Sequence, residues 1–337
     1  MSESVMVERR IDAIRSAQRS SAWIDRTGWS WIEMTGNDRI DLLHRLTTND
    51  LTRLVPGRGI QTVLLTEKAR IIDVLTVLQD EDRAYLLGSP LIALQTIQWL
   101  RKYVIMDDVK LKDHTSMVKA LEICGPQAAD TVQQITSINV SAWATGQWQR
   151  GTLDSGEVLV VRAPSISEVS YWLISEPIVW ESIVNVLRAN AEAIPQLTDD
   201  ETEYLRVCAG MGKLGHEWTD SYNPLEAGLL HLTSFTKGCY IGQEVVARLD
   251  SYNKVKQRVM GIVSDAQLQP GDVVVADGSQ IGVITSVVAS TDEKHSLALA
   301  YVRGEHAHPN TALSIRTADG EITAEQVLPP LMDPSCP

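Results

Sequence analysis

The sequence predicts an α+β protein that closes with an all-β module, and three observations carry that reading. Strand-like and helix-like runs alternate unevenly up to Tyr252, which suggests two α+β layers rather than a regular parallel βαβ array. From Arg258 onward, short β-branched runs are broken by Gly, Pro and Asp about every ten residues, the spacing of a small barrel or sandwich. At 337 residues the chain can bury a sizeable core and divide into two or three domains.

Along the chain, Met1 to Gln18 is charged throughout and lacks the apolar stretch of a signal peptide or membrane anchor. No run elsewhere approaches the ~20 apolar residues of a spanning helix, so a soluble protein is expected. Asn37 or Asp38 is placed to cap a helix whose Ile40, Leu43 and Leu46 recur on one face. Three strands are expected next, over Ile60–Thr66, Ile71–Leu78 and Arg83–Gly88. Ser89-Pro90 then has the order that opens a helix, a capping hydroxyl followed by proline, with Leu91, Leu94, Ile97 and Leu100 on one side. The pattern returns once. Val118–Cys124 reads as a strand running into Gly125-Pro126 and a short helix, and strands over Glu157–Ala163 and Val169–Ile174 lead to a helix from Pro177 to about Asn190. The boundary before the all-β module falls at Asn253 to Gln257, which is polar and aperiodic. The tail PPLMDPSCP, rich in proline, is expected to fray or lie over the surface.

A formal net charge of -13 and a pI near 5.0 provide no basic footprint for nucleic acid. Cysteines at 124, 208, 239 and 336 form no C-x-x-C pair and no compact disulfide framework, which fits reduced thiols in a cytoplasmic chain. With no two cysteines local in sequence, no permanent iron–sulfur or other metal centre is expected.

One of these cysteines stands in FTKGCYIGQEVVARL, Phe235 to Leu249. Ile241, Val245, Val246 and Leu249 give Tyr240 to Leu249 an amphipathic helical period, so Cys239 is expected at or just before a helix N-terminus. Unpaired amides there and the Lys237 charge would favour a thiolate; the alternative is a small buried packing residue. Glu244 and Arg248, four apart with the acid first, are placed for a helical ion pair.

The octapeptide KGCYIGQE, Lys237 to Glu244, resembles the K-G-C-Y-x-G-Q-E motif of the YgfZ family, folate-binding relatives of the glycine-cleavage T-protein. The resemblance spans most of the chain. LLHRLTTNDLTRLVPGRG (Leu42 to Gly59) is similar to the family's F-L-x-x-x-x-T-N-D-V segment, and EKARIIDVLTV (Glu67 to Val77) to its P-K-G-R-x-x-x-D-x-x-V hairpin. ADGSQIGVITSVVAS and LALAYVR resemble the end barrel shared with T-proteins. This implies a GcvT/YgfZ-like three-lobed fold: two α+β subdomains over residues 1–252 dividing near 110–118, a C-terminal antiparallel β-barrel over 253–330, and a tail over 331–337. It further implies a central hole for tetrahydrofolate or a one-carbon derivative. The implied partners are iron–sulfur enzymes or their assembly proteins, including a tRNA thiomethylating enzyme, with neither nucleic acid nor membrane bound directly and a monomeric chain.

Against that pattern, T-proteins place the pteridine-binding glutamate in R-x-E-A-G-M, and this chain reads RVCAGM, Arg206 to Met211. Cys208 in the glutamate's place cannot supply two strong acceptor oxygens, which argues against T-protein activity. Where T-proteins carry two adjacent acids, Asp73 is followed by Val74; Asp73 is either a catalytic acid facing the folate or an ordinary strand-end charge. Glu226, in NPLEAGL, is the expected substitute acceptor for the pteridine, with turn capping as the alternative. Asn49 and Asp50, in the T-N-D match, are expected to shape the folate pocket, and Tyr240 and Gln243 of the octapeptide to line it. Lys237 and Arg248 would meet the glutamate tail of folate, and Cys239 would be the functional thiol. The competing reading is a folate-dependent aminomethyltransferase or demethylase. His306 and His308, alternating on a possible strand, lack a third ligand and read as surface residues.

Overall fold

A computed structural model describes residues 3–163, 165–252 and 254–333, with side chains from residue 11 onward; Asn253 at the expected boundary and the chain end with Cys336 lie outside the described residues. The chain forms two compact units, one of Met1–Leu64, Asp73–Thr202 and Thr236–Ile241, the other of Leu65–Ile72, Glu203–Phe235 and Gly242–Pro337.

The first unit runs α1 (Glu3–Arg19), β1 (Ala22–Asp25), β2 (Trp29–Thr35), α2 (Arg39–Leu46), β3 (Arg58–Leu65), β4 (Ile71–Gln79), β5 (Arg83–Pro90), α3 (Ala93–Arg101), β6 (Lys110–Asp113), β7 (Lys119–Cys124), α4 (Ala128–Thr136), β8 (Trp148–Leu153), β9 (Gly156–Arg162), β10 (Ser170–Ser175) and α5 (Pro177–Ala189). Two five-stranded sheets result, ordered β3-β4-β5-β2-β6 and β1-β7-β10-β9-β8. Their central strands read as unbroken apolar runs because both faces are covered. In β9, Val158 and Val160 pack with Val179, Ile183 and Leu187 of α5, while Leu159 and Val161 turn to Trp31, Tyr85 and Leu87 of the other sheet. In β10, Tyr171 and Leu173 take the helix side and Trp172 and Ile174 the sheet side. The unit is thus two α+β layers joined sheet to sheet.

Glycine fixes the chain at one corner of this unit. Gly125 sits at φ +115°, and a Cβ there would lie 2.5 Å from the Ser20 carbonyl oxygen. Pro177 occupies the first turn of α5 as expected. Ser89-Pro90 does not open a helix. Both belong to β5, where Ser89 donates its N–H to Asp73 and Trp29 pairs with Pro90; Leu91 then turns at φ 68°, and α3 begins at Ala93. Leu91 and Leu94 are exposed. Neither Asn37 nor Asp38 caps α2 by its side chain; Asp38 instead accepts the Asp108 N–H, and the buried stripe of α2 is Leu42, Leu43 and Leu46, without Ile40.

α6 (Asp199–Ala209) continues into the second unit, which holds α7 (Gln243–Ser251), β11 (Gln257–Ser264), β12 (Val273–Ala276), β13 (Ser279–Ala289), β14 (Ser296–Arg303), β15 (Thr311–Thr317) and β16 (Gly320–Val327). The six strands close a barrel in the order β11-β14-β13-β12-β15-β16, antiparallel throughout. Alternate residues such as Met260, Ile262, Ala298, Ala300, Val302, Leu313 and Ile315 fill its interior. As far as Asp333 the tail is neither frayed nor laid loosely on the surface: the Leu331 N–H donates to the Cys208 carbonyl at 2.6 Å, and Asp333 accepts the Tyr204 hydroxyl at 2.6 Å and the Thr291 N–H at 2.8 Å. No helix among the described residues is long and apolar enough to cross a membrane.

Candidate functional site

In the first unit the octapeptide docks on the end of α2. A helix leaves its last carbonyls without intrahelical donors, and here Thr47 follows in an extended conformation (φ -128°), so no left-handed cap supplies them. Lys237 does. Its Nζ donates to the carbonyls of His44 (2.5 Å), Thr47 (2.7 Å) and Asn49 (2.8 Å), and the Ile241 N–H donates to that of Arg45 at 2.9 Å. The ammonium also lies 4.9 Å from the Tyr240 ring centre. Burial pulls the Lys237 amine down to about 8, with Asp50 opposing, and pushes the Tyr240 phenol up to about 12. Lys237 is therefore a buried lysine whose ammonium is held by backbone carbonyls rather than turned to solvent, and Tyr240 is buried beside it.

Cys239 stands between these anchors and is exposed, not sealed in packing. The surroundings expected to activate it are arranged otherwise. α7 begins only at Gln243, with Gly242 at φ 81° before it, and Lys237 is committed to carbonyls.

The T-N-D turn bonds to itself and its hairpin. Asn49 donates its side-chain amide to the Gln61 carbonyl and accepts the Asp50 N–H. Asp50 accepts the Thr52 N–H and hydroxyl, which hold its carboxyl below the ordinary range. His44, unremarked in the sequence, accepts the Leu51 N–H on Nδ1; burial and then the Lys237 charge depress its pKa.

Asp73 is fully buried in β4. Its two oxygens accept the N–H groups of Val74 and Ser89, and burial pushes the carboxyl up to about 6 against those bonds. The strand-face ambiguity resolves inward, so Asp73 is neither a strand-end surface charge nor an acid open to a substrate.

In the second unit Glu226 is buried and caps its turn, accepting the Asn223 N–H at 3.2 Å, with Arg70 at 3.8 Å. Burial raises its pKa, and the Asn223 bond and the Arg70 charge oppose that. Gln243 opens α7 and Arg248 is exposed on its last turn; no ion pair joins Arg248 to Glu244 among the described residues. Cys208 is half-buried on α6. Two residues before it, Arg206 enters a buried network that the sequence did not announce. Glu217 takes Arg206 and the Lys213 N–H on one oxygen, each at 3.1 Å, and the hydroxyls of Thr285 (2.6 Å) and Ser286 (2.7 Å) on the other. Its members are scattered over 80 residues of β-barrel and helix, which hides it from local pattern reading. His306 and His308 occupy the turn before β15, not a strand, and no group of three or more His, Cys, Asp or Glu among the described residues is set to hold a metal.

A cleft of about 690 Å³ opens in the first unit, lined by Trp31, Glu33, Asp80, Arg83, Tyr85 and Arg150 among others. Its guanidinium groups are already engaged, Arg83 with Glu33 and Arg150 with Asp80, both at 2.8 Å. None of the residues expected from the sequence lines it.

The GCVT N-terminal domain family matches residues 3–237, and the glycine cleavage T-protein C-terminal barrel domain matches residues 257–333. The chain belongs to this T-protein family. It is 28% identical over 297 residues to a chloroplastic protein of Arabidopsis thaliana named "putative transferase", covering 87% of this chain and 67% of that protein. It is 29% identical over 286 residues to the aminomethyltransferase of Geobacillus kaustophilus, covering 82% and 77% of the two chains. The crystal structure of glycine cleavage system aminomethyltransferase T from Bartonella henselae superposes with a TM-score of 0.84 at 18% identity, over 96% of this chain and 90% of that one, and so shares its fold.

Proposed function

We propose that this T-protein relative binds tetrahydrofolate or a one-carbon derivative and serves, as a cytoplasmic YgfZ-like accessory factor, the assembly or repair of iron–sulfur enzymes, tRNA-modifying ones included. The observation that carries the accessory reading over turnover is Asp73, fully buried with both oxygens held by backbone amides. One-carbon transfer to folate calls for a carboxylate that reaches the reacting nitrogens. Asp73 does not offer one, and Cys208 stands where T-proteins carry glutamate.

The second unit fits folate in part. Glu226 would accept N–H groups of the pteridine edge, its Oε2 already holding the Asn223 amide, and Arg248 would pair with the glutamate carboxylates of the ligand. Bound folate would supply a one-carbon carrier. The chain's residues would orient it, and Cys239 would be the exposed thiol that meets the client.

Calorimetry with tetrahydrofolate tests the ligand, and complementation of a deletion strain tests the role. Cys239→Ser should bind folate normally and fail to support iron–sulfur enzymes; full complementation would dispose of the thiol. A second reading, a folate-dependent aminomethyltransferase or demethylase, is favoured by the names of the relatives. Robust one-carbon transfer from methylamine-type donors would establish it instead.

A further inference from the structure

We infer that Lys237 is a positioning residue: its ammonium clamps the Cys239 loop onto the carbonyl end of α2, so that the thiol is presented from a fixed backbone. This rests on the reading of Cys239 as the functional thiol, while the clamp itself rests on geometry.

The stoichiometry is specific. An ammonium carries three N–H donors on one atom, and three carbonyls, of His44, Thr47 and Asn49, converge on it at 2.5, 2.7 and 2.8 Å. No other side chain concentrates three donors at a point; arginine spreads its five in a planar fork. A positive charge at a helix C-terminus is also the favourable sign. The second anchor lies on the other side of the cysteine, where the Ile241 N–H bonds to the Arg45 carbonyl. Cys239 is thus two residues from a fixed point in each direction. Tyr240, buried beside it, holds its ring under the ammonium. Gly238 touches nothing where a side chain would begin, so packing adds no competing hold on that link.

The clamp also explains why the T-N-D turn and the octapeptide occur in one chain despite their separation. The Thr47 and Asn49 carbonyls belong to the turn, the donor to the octapeptide, and Lys237 and Asn49 are 188 positions apart in sequence. The charged or titratable groups facing the ammonium include His44 of α2, Asp50 of the turn and Tyr240 of its own segment.

The test uses the full chain with Cys208→Ser and Cys336→Ser, a nitroxide on Cys239, and two variants, Lys237→Met and Lys237→Gln, the second retaining two N–H donors on a shorter, uncharged side chain. Amide exchange at Ile241 should rise about tenfold or more in Lys237→Met, the loss of roughly one net hydrogen bond, and the nitroxide spectrum should shift to its mobile form. Lys237→Gln should fall between. Amides of β10 should keep their protection. The clamp is overturned if Ile241 exchange and nitroxide mobility stay within about twofold of the parent in both variants. It is equally overturned if β10 loosens by the same factor, because the lysine would then be a general stabiliser. Neither readout involves folate or a client. Failure of the clamp is therefore distinct from failure of the thiol's role, which Cys239→Ser complementation decides.

Discussion

Replacing Asp73 with asparagine should remove a pH dependence that the fold otherwise carries. The wild-type carboxyl titrates at about 6 in the folded chain against 3.8 when free, chiefly because burial penalises its charge. At about 1.4 kcal/mol per tenfold change in proton affinity, ionising it costs the fold roughly 3 kcal/mol. The sign follows from proton binding. The folded state holds this proton more tightly, so the associated stability is complete below 3.8, falls as pH rises through 6, and is gone by pH 7. The Asp73→Asn side chain would set an amide against two N–H donors, a penalty that does not vary with pH and so drops out of the slope. Urea unfolding of both proteins from pH 3.5 to 7.5 measures the difference. Wild-type stability minus that of Asp73→Asn should decline by about 3 kcal/mol across that range. A flat difference, or one that rises with pH, would refute the argument that burial dominates the environment of Asp73.

Other outcomes follow from the same physics. Glu217→Gln should cost about 2–4 kcal/mol, because a buried carboxylate accepting from Arg206, Lys213, Thr285 and Ser286 loses its charge and one acceptor; a urea midpoint shift worth under about 1 kcal/mol would contradict it. Gly125→Ala should lose about 1–3 kcal/mol or fail to fold, since φ is +115° and the new methyl would strike the Ser20 carbonyl. Asp333→Ala should lower the melting temperature measurably, worth about 1–3 kcal/mol, by removing the carboxylate that accepts from the Tyr204 hydroxyl and the Thr291 N–H. Glu226→Gln should weaken tetrahydrofolate binding in calorimetry, and unchanged affinity would remove Glu226 from the pteridine site.

How much of this was legible in the sequence depended on the range of the forces involved. β9 and β10 were readable because both faces are buried and the apolar run is continuous, and α5 because Pro177 marks its start. Ser89-Pro90 misled because tertiary partners hold both residues in β5, the Asp73 carboxylate accepting the Ser89 N–H and Trp29 pairing with Pro90. The octapeptide stood out as a motif, yet the partners of its lysine were hidden. Lys237 was expected to face a ligand, and it faces carbonyls contributed by α2 and the following turn, a pairing no local window contains. The same holds for Glu217, whose partners come from a helix and a barrel strand.

The interleaving of the two units sets an order on biosynthesis. The end of α2 leaves the ribosome early, but its carbonyls are capped only by residues 237 and 241, and the second unit in turn borrows residues 65–72 from the early part of the chain. A nascent polypeptide halted before Lys237 therefore carries an unfinished first half, however long it waits. Neither half can settle until synthesis has passed residue 241, and excising one half as a free-standing fragment would sever the other.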